Sequence, residues 1–169
     1  MDTFPEKIVR NAHGIVRINI NFSANESGIA IATLDGLGNM HKTLCGHIKI
    51  GFEPEALIVE AIQGHFDRKD RVKQVNTVLG KPWANYSLEL AEEHARRCGL
   101  KHVKIASPRT NYWFEHPEKL TKTDEGWKYL EVTNPEEKKE IQQRMLTSYA
   151  IIAKKMGYKK QGEFYVKEL

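Results

Sequence analysis

Residues 56–62 read Ala-Leu-Ile-Val-Glu-Ala-Ile, an almost continuous apolar run in a chain that is otherwise rich in charged residues. A run of this length that follows a Glu-Pro-Glu break is typical of a β-strand. Apolar side chains on both faces of a strand are typical of the middle of a sheet that is covered on both sides. We therefore predict a central strand here, and the rest of the chain must supply its neighbours and its cover.

The residues before this run predict the neighbouring strands. Residues 15–20 and 28–34 are rich in β-branched side chains, and residues 40–50 alternate between apolar and polar positions. A stretch with three turn-forming residues, 35–39, separates the second run from the third. The second and third runs are therefore expected to form a hairpin.

The residues after the central run predict a helix and a further strand. Apolar residues recur after Pro82 at steps of three and four, at Ala84, Leu88, Ala91, Ala95 and Cys98. This period is that of an amphipathic helix, with Pro82 in the first turn and Gly99 just past the end. A short strand is expected at residues 102–106, before Pro108.

A second helix begins with a clear N-terminal pattern near residue 134. Asn134 can cap it, Pro135 suits its first position, and Glu137 completes an arrangement like a capping box. Its apolar stripe is Ile141, Met145, Tyr149, Ile152 and Met156, and Gly157 is expected to end it. A terminal strand is expected at residues 162–167.

The 169 residues are expected to form one domain, residues 1–169, with a long aromatic insertion at about 108–134. The order of elements predicts an α/β (α+β) fold, with a mixed, mostly antiparallel central sheet flanked by helices. A strand is expected within the insertion at residues 127–132. The absence of a long apolar run and the two unpaired cysteines favour a cytoplasmic protein that does not bind membranes. The net charge of +4 mildly favours anionic partners.

Two stretches resemble the acyl-CoA N-acyltransferase superfamily, usually called GNAT. Residues 84–107, from Ala-Asn-Tyr-Ser through Lys-Ile-Ala-Ser, are similar to its cofactor helix and the following strand. Residues 153–162, Ala-Lys-Lys-Met-Gly-Tyr-Lys-Lys-Gln-Gly, are similar to the end of its late helix. The resemblance implies a GNAT-like fold that transfers an acyl group from acetyl-CoA, or another acyl-CoA, to the amine of a small molecule or peptide.

The resemblance also implies where the cofactor binds. In the superfamily, backbone N–H groups at the start of the cofactor helix hold the pyrophosphate, where a helix N-terminus attracts anions. The corresponding residues here are Gly80, Lys81, Trp83 and Ala84, with Ile62 and Gln63 on the central strand. At the superfamily's motif positions the chain has Leu79, Pro82 and Ala84, of which only Ala84 conforms. A solvated loop followed by an ordinary Pro-initiated helix is the alternative interpretation.

Glu60 and Tyr149 are the predicted catalytic residues. A carboxylate on a strand buried on both faces has a raised pKa, which would let Glu60 accept the proton of the attacking amine. The alternative interpretation is that Glu60 lies on a solvated sheet face or forms an ion pair with Lys or Arg. The superfamily often places a tyrosine four residues before the late glycine as general acid, where this chain has Ala153. Tyr149, one turn earlier, is its potential substitute.

Other readings of the sequence stay open at this point. His41, Cys45 and His47 are expected on the polar face of one strand. Only Cys45 and His47 are neighbours there, so the metal pattern is weak, with no third or fourth ligand evident beside them. The aromatic insertion, with Tyr112, Trp113 and Phe114, could line a pocket, stack on nucleic-acid bases or pin a long loop. The chain could therefore instead be a non-catalytic binding module, either a degenerate acyltransferase-like domain or a nucleic-acid or phage-type accessory protein. A homodimer is compatible with either function.

Overall fold

The computed structural model describes residues 6–22, 27–34, 42–64 and 69–169. Its elements in chain order are β1 (Lys7–Asn11), β2 (Gly14–Phe22), β3 (Ser27–Leu34), β4 (Lys42–Glu53), β5 (Ala56–Gly64), α1 (Lys69–Leu79), α2 (Trp83–Arg97), β6 (His102–Ala106), α3 (Tyr112–Glu115), β7 (Glu118–Thr123), β8 (Gly126–Glu131), α4 (Pro135–Lys155), β9 (Lys159–Gln161) and β10 (Phe164–Glu168).

Eight strands form one mixed sheet in the order β1-β2-β3-β4-β5-β6-β10-β9, while β7 and β8 form a separate hairpin. β5 and β6 run parallel, and all the other neighbours in the sheet are antiparallel. The fold is therefore α+β with a mostly antiparallel mixed sheet, as predicted. β5 lies inside the sheet, which confirms the interpretation of residues 56–62 as an internal strand.

The core lies on one face of the sheet. The strand register pairs Ile18 with Ile31, and both are fully buried. Further along the same face, Ile50 pairs with Val59. α1 packs against β1 to β4, and α2 packs against β4 to β6, so the two helices cover this face. Each isoleucine buried in this way contributes roughly 1.5–3 kcal/mol to stability.

The opposite face is polar along β4 to β6, contrary to the expectation that β5 is covered on both faces. Lys49 Nζ lies 2.7 Å from a carboxylate oxygen of Glu60, and Lys104 Nζ lies 2.6 Å from a carboxylate oxygen of Glu53. An antiparallel sheet can leave one face in contact with water, whereas the sequence argument treated the strand as part of a doubly covered sheet. Ion pairs between β4 and β5, and between β4 and β6 across β5, take the place of an apolar cover.

Helix α1 was not predicted. We expected a polar loop around residues 68–73, because the basic residues there hide an apolar period. Val75 and Val78 are buried in the core, and Val72 packs partly against it, which gives steps of three along one helical face. The edge strand β1 was also missed.

A β-bulge changes the faces predicted for β4. The register pairs Ile31 with Gly46 but Ala32 with Leu44, so Cys45 is the extra residue on β4. Cys45 is therefore fully buried in the core, although it was expected on a polar face with His47. The predicted hairpin loop at residues 35–39 and the position of His41 lie outside the described residues.

The second half follows the sequence pattern closely. Strand β6 has the predicted bounds, and α2 begins one residue after Pro82, which is the N-cap instead of a first-turn residue. The side chain of Asn134 caps α4, accepting from the N–H groups of Glu136 and Glu137. The insertion contains a 3-10 turn, the short helix α3 and the β7–β8 hairpin. One strand was predicted there, at residues 127–132; it corresponds to β8, and its partner β7 was not predicted. The predicted terminal strand is also a pair, β9 and β10, with Gly162 in the turn between them.

Replacing Gly46 by alanine is expected to lower the free energy of unfolding by about 1–3 kcal/mol. A Cβ atom at Gly46 would lie 2.7–2.8 Å from three ring atoms of Trp83, whose side chain is buried. Gly64, which pairs with Gly46, is the matched control, since its Cβ would meet the same ring at 3.4 Å. Urea denaturation of both variants measures the difference, and an equal loss in both would contradict this packing argument.

Candidate active site

Strand β5 extends beyond its parallel neighbour β6 in the middle of the sheet. Their pairing runs from Ala56 with His102 to Val59 with Ile105, β6 ends at Ala106, and β5 continues to Gly64. A second bulge lies where the pairing with β6 stops, because Lys49 pairs with Ala61 while Ile50 pairs with Val59. A bulge bends its strand and increases its twist, and here Glu60 is the extra residue on β5.

The hydroxyl of Tyr149 occupies the edge of β5 beyond the end of β6. The N–H of Ile62 donates to Tyr149 Oη at 2.7 Å, and the hydroxyl donates to the carbonyl of Ile62 at 3.2 Å. A side chain of α4 thus pairs with the peptide groups of β5 as a neighbouring strand would. Burial raises the pKa of the Tyr149 hydroxyl, and this effect is opposed by the hydrogen bonds with Ile62 and with the side chain of Asn111. The hydroxyl therefore stays protonated at neutral pH.

The fold of α4 explains why Tyr149, and not Ala153, reaches this position. Ala153 is fully buried in the core one turn further along the helix. Near the start of α4, Gln142 Nε2 donates to the carbonyl of Phe114 at 2.8 Å, which ties the helix to α3. Asn111, the N-cap of α3, is thereby placed beside Tyr149. The sequence analysis did not select Asn111, although its position before a short helix is typical of a capping residue.

The start of α2 lies over the end of β5. The Trp83 ring covers two paired glycines, since a Cβ atom at Gly64 would lie 3.4 Å from the ring and one at Gly46 would lie 2.7 Å from it. The Trp83 N–H donates to Asn76 Oδ1 at 2.8 Å, which fixes the first turn against α1. Pro82 provides no side-chain cap. The first turn of α2 therefore has N–H groups without an intrahelical acceptor, including that of Ala84, near the end of β5 that extends beyond β6.

The residues predicted to bind the cofactor lie at one end of the sheet, but the environment differs from one residue to the next. Gly80 is exposed, and its φ of +70° lies in the left-handed region. A Cβ atom added at Gly80 would have no neighbour within 4 Å. Lys81 Nζ is held by both carboxylate oxygens of Glu89, at 2.8 and 2.9 Å. Ala84 is buried, and Gln63 pairs with His47 on β4. The sequence analysis missed Glu89 as a competitor for the Lys81 ammonium group.

Glu60 lies outside the buried environment that was predicted for it. Its side chain is 42% exposed and ion-paired with Lys49 on the open face of the sheet. Glu60 follows Val59, and strand alternation places it on the face opposite to the buried Leu57 and Val59, which has no apolar cover. The solvated alternative is therefore correct for its position, and burial does not prepare this carboxylate as a base.

No protein-family model matches the chain, and the search of curated proteins finds no match. Across residues 6–22, 27–34, 42–64 and 69–169, no group of three or more His, Cys, Asp or Glu side chains is placed to hold a metal ion. Over the same ranges, none of the helices is both long and apolar enough to cross a membrane.

Proposed function

We propose that this chain has a GNAT-like acyl-CoA N-acyltransferase fold and transfers an acyl group from acyl-CoA to an amine. The observation that carries the proposal is the edge of β5 beyond the end of β6, where the Ile62 peptide group meets the Tyr149 hydroxyl. The resemblance in sequence implies a cleft between these same two strands. The first turn of α2 lies beside the end of β5 and supplies the partial positive charge that a pyrophosphate needs.

The proposed reaction uses the two groups that meet at this edge. The amine nitrogen attacks the thioester carbonyl carbon, and the Ile62 N–H donates a hydrogen bond to the developing oxyanion. The carbon–sulfur bond then breaks, and Tyr149 donates its proton to the leaving thiolate. In the structure Ile62 donates to Tyr149, so the hydroxyl holds the place that the thioester oxygen takes on binding.

Glu60 remains the proposed acceptor of the amine proton, through water instead of directly. Its carboxylate is two residues from Ile62 but paired with Lys49 at 2.7 Å in a solvated position. Bulk water can share the task at such a site. Glu60→Gln is therefore expected to lower the rate by no more than about tenfold, below the usual range for a dedicated acid or base.

Acetyl-CoA binding tests the proposal, and the Lys81–Glu89 pair makes the test specific. One millimolar acetyl-CoA is expected to raise the melting temperature by several degrees, since a ligand that binds only the native state stabilises it. Glu89→Gln frees Lys81 for the pyrophosphate and is expected to tighten binding by about two- to fivefold, in line with the ~0.2–1 kcal/mol of an exposed ion pair. Lys81→Met is expected to weaken binding relative to Glu89→Gln.

Calorimetric titration of the wild-type protein, Glu89→Gln and Lys81→Met with acetyl-CoA compares their affinities. The melting temperatures of the three proteins without cofactor are the stability control. Binding that is unchanged in both variants would place the anion elsewhere than the start of α2. No response of the wild-type protein to acetyl-CoA would contradict the proposed transfer, and would favour the non-catalytic binding module.

A further inference from the structure

Asn111, the half-buried N-cap of α3, bonds three of its four polar groups within its own segment. Its backbone N–H donates to the Pro108 carbonyl at 3.0 Å, and its carbonyl accepts from the Phe114 N–H at 2.9 Å. Its side-chain Oδ1 accepts from the Trp113 N–H at 3.1 Å. These bonds fix both the backbone and the direction of the side chain, so that only the amide nitrogen is left to act outside the segment.

That amide nitrogen donates to the hydroxyl of Tyr149. The two ends of an Asn amide look alike, so its orientation follows from its partners. Because Oδ1 accepts from a backbone N–H, the NH₂ group is the end that meets Tyr149, and an NH₂ group can only donate. The bond from Gln142 Nε2 to the Phe114 carbonyl joins α4 to α3 and holds the two side chains together.

The partners of the Tyr149 hydroxyl determine where its proton points. A phenolic hydroxyl has one proton to donate and can accept through its oxygen lone pairs. The Ile62 N–H donates to this oxygen at 2.7 Å, and the Asn111 amide is its second donor. The proton is therefore left for the Ile62 carbonyl, 3.2 Å away on the edge of β5.

We propose that Asn111 is a positioning residue of the transfer reaction, whose amide directs the Tyr149 proton toward the substrate. This role rests on the proposed function. When the thioester oxygen takes the Ile62 N–H, the Asn111 amide is the donor that stays on the Tyr149 oxygen. It keeps the proton directed at the leaving sulfur, and it stabilises the phenolate that remains once the thiolate has taken that proton. The aromatic insertion at 108–134 thereby contributes to the chemistry, because it carries Asn111.

The arrangement works without a charged partner for the hydroxyl. Burial, the peptide hydrogen bonds and the amide are the causes that set the pKa of Tyr149, with no charged side chain of the described residues among them. On the neighbouring elements, Glu60 is paired with Lys49 on the open face of the sheet, and Arg109 lies 5.8 Å from the centre of the Phe114 ring. The neutral amide is therefore the group to change.

Asn111→Asp tests the role, because aspartate also caps a helix but its carboxylate cannot donate to Tyr149. The variant is expected to lower kcat about tenfold at neutral pH, with KM for acetyl-CoA little changed. The negative charge raises the pKa of Tyr149, so the alkaline fall in rate is expected to move to higher pH by about one unit or more. A residue that only capped α3 would move neither kcat nor this limb of the pH profile.

Asn134→Asp is the matched control. Asn134 caps α4 with the same kind of contact to backbone N–H groups, about four turns before Tyr149 on that helix. It is expected to keep the wild-type kcat and pH profile. Asn111→Ser, which retains a capping oxygen without an amide, is the second variant in case Asn111→Asp disturbs the fold, and it should also lower kcat. If the Asn111 variants match Asn134→Asp in kcat and in pH profile, the proposal is overturned.

Ultraviolet titration of the tyrosines separates this proposal from the acyl transfer itself, because it needs no acetyl-CoA. Subtracting the curve of Tyr149→Phe from that of the wild type isolates the ionisation of Tyr149. Subtracting Asn111→Asp/Tyr149→Phe from Asn111→Asp does the same in the variant. An upward shift of about one pH unit supports the role even if no amine is acylated. An unchanged Tyr149 curve would overturn it even if the transfer is active.

Discussion

Replacing Glu92 by alanine is expected to lower the free energy of unfolding by about 3 kcal/mol. Glu92 lies on α2 and is only 4% exposed. It accepts hydrogen bonds from Tyr158 Oη at 2.9 Å and from Lys167 Nζ at 2.7 and 2.9 Å. Without the carboxylate, Lys167 keeps a largely buried charge with no counter-ion, and the Tyr158 hydroxyl loses its acceptor. The loss arises mostly from stranding these two groups.

Glu93, the next residue on α2, is the control for this prediction. Its side chain is 61% exposed, and it pairs with Arg97 at 3.7 Å. Glu93→Ala is expected to change stability by less than about 0.5 kcal/mol, since exposed pairs contribute little. Urea denaturation of the two variants gives the comparison. Similar losses in both would show that the Glu92 network does not hold α2 against β10.

Replacing Tyr149 by phenylalanine is expected to lower kcat of the proposed transfer by about 100-fold or more. The substitution removes the hydroxyl that meets the Ile62 peptide group and leaves the ring in the core. The thiolate then leaves without a proton donor. Release of free thiol from acetyl-CoA, measured over a panel of amines, reports the rate.

The pH profile separates an acid from a merely structural tyrosine. Burial places the pKa of Tyr149 above its ordinary value near 10, so its proton is present throughout the neutral range. The rate that depends on this proton is lost only as pH rises through the raised pKa. Wild-type activity should therefore fall in the alkaline range because of Tyr149, and this fall should be missing in the variant.

Tyr86→Phe is the matched control for the loss of a tyrosine hydroxyl. Tyr86 lies on α2 with Lys7 over its ring at 5.4 Å, a contact that phenylalanine retains. The Tyr86→Phe variant should keep full activity. If Tyr149→Phe has the same kcat as this control, Tyr149 is a structural residue and the proposed proton transfer is wrong.

Local patterns were enough to predict most of the elements. The bounds of β6, the cap of α4 and the stripe on α2 follow from residue types within one or two turns of chain, where propensity and capping act. The internal position of β5 follows from its apolar run. Missing α1 shows the limit of this approach, since its basic residues hid the helical period of Val72, Val75 and Val78.

The candidate site depended on longer-range features. The sequence identified Ile62 and Tyr149 separately, but they lie 87 residues apart, and only the packing of α4 brings the hydroxyl to the peptide group. Strand pairing decided two further positions. The bulge on β4 buried Cys45, because one extra residue on a strand reverses the face of its neighbours. Glu60 is exposed because the face of β5 opposite to Leu57 and Val59 has no apolar cover. Local patterns along the sequence therefore determined most of the elements, while the pairing of strands and the packing of α4 determined the site.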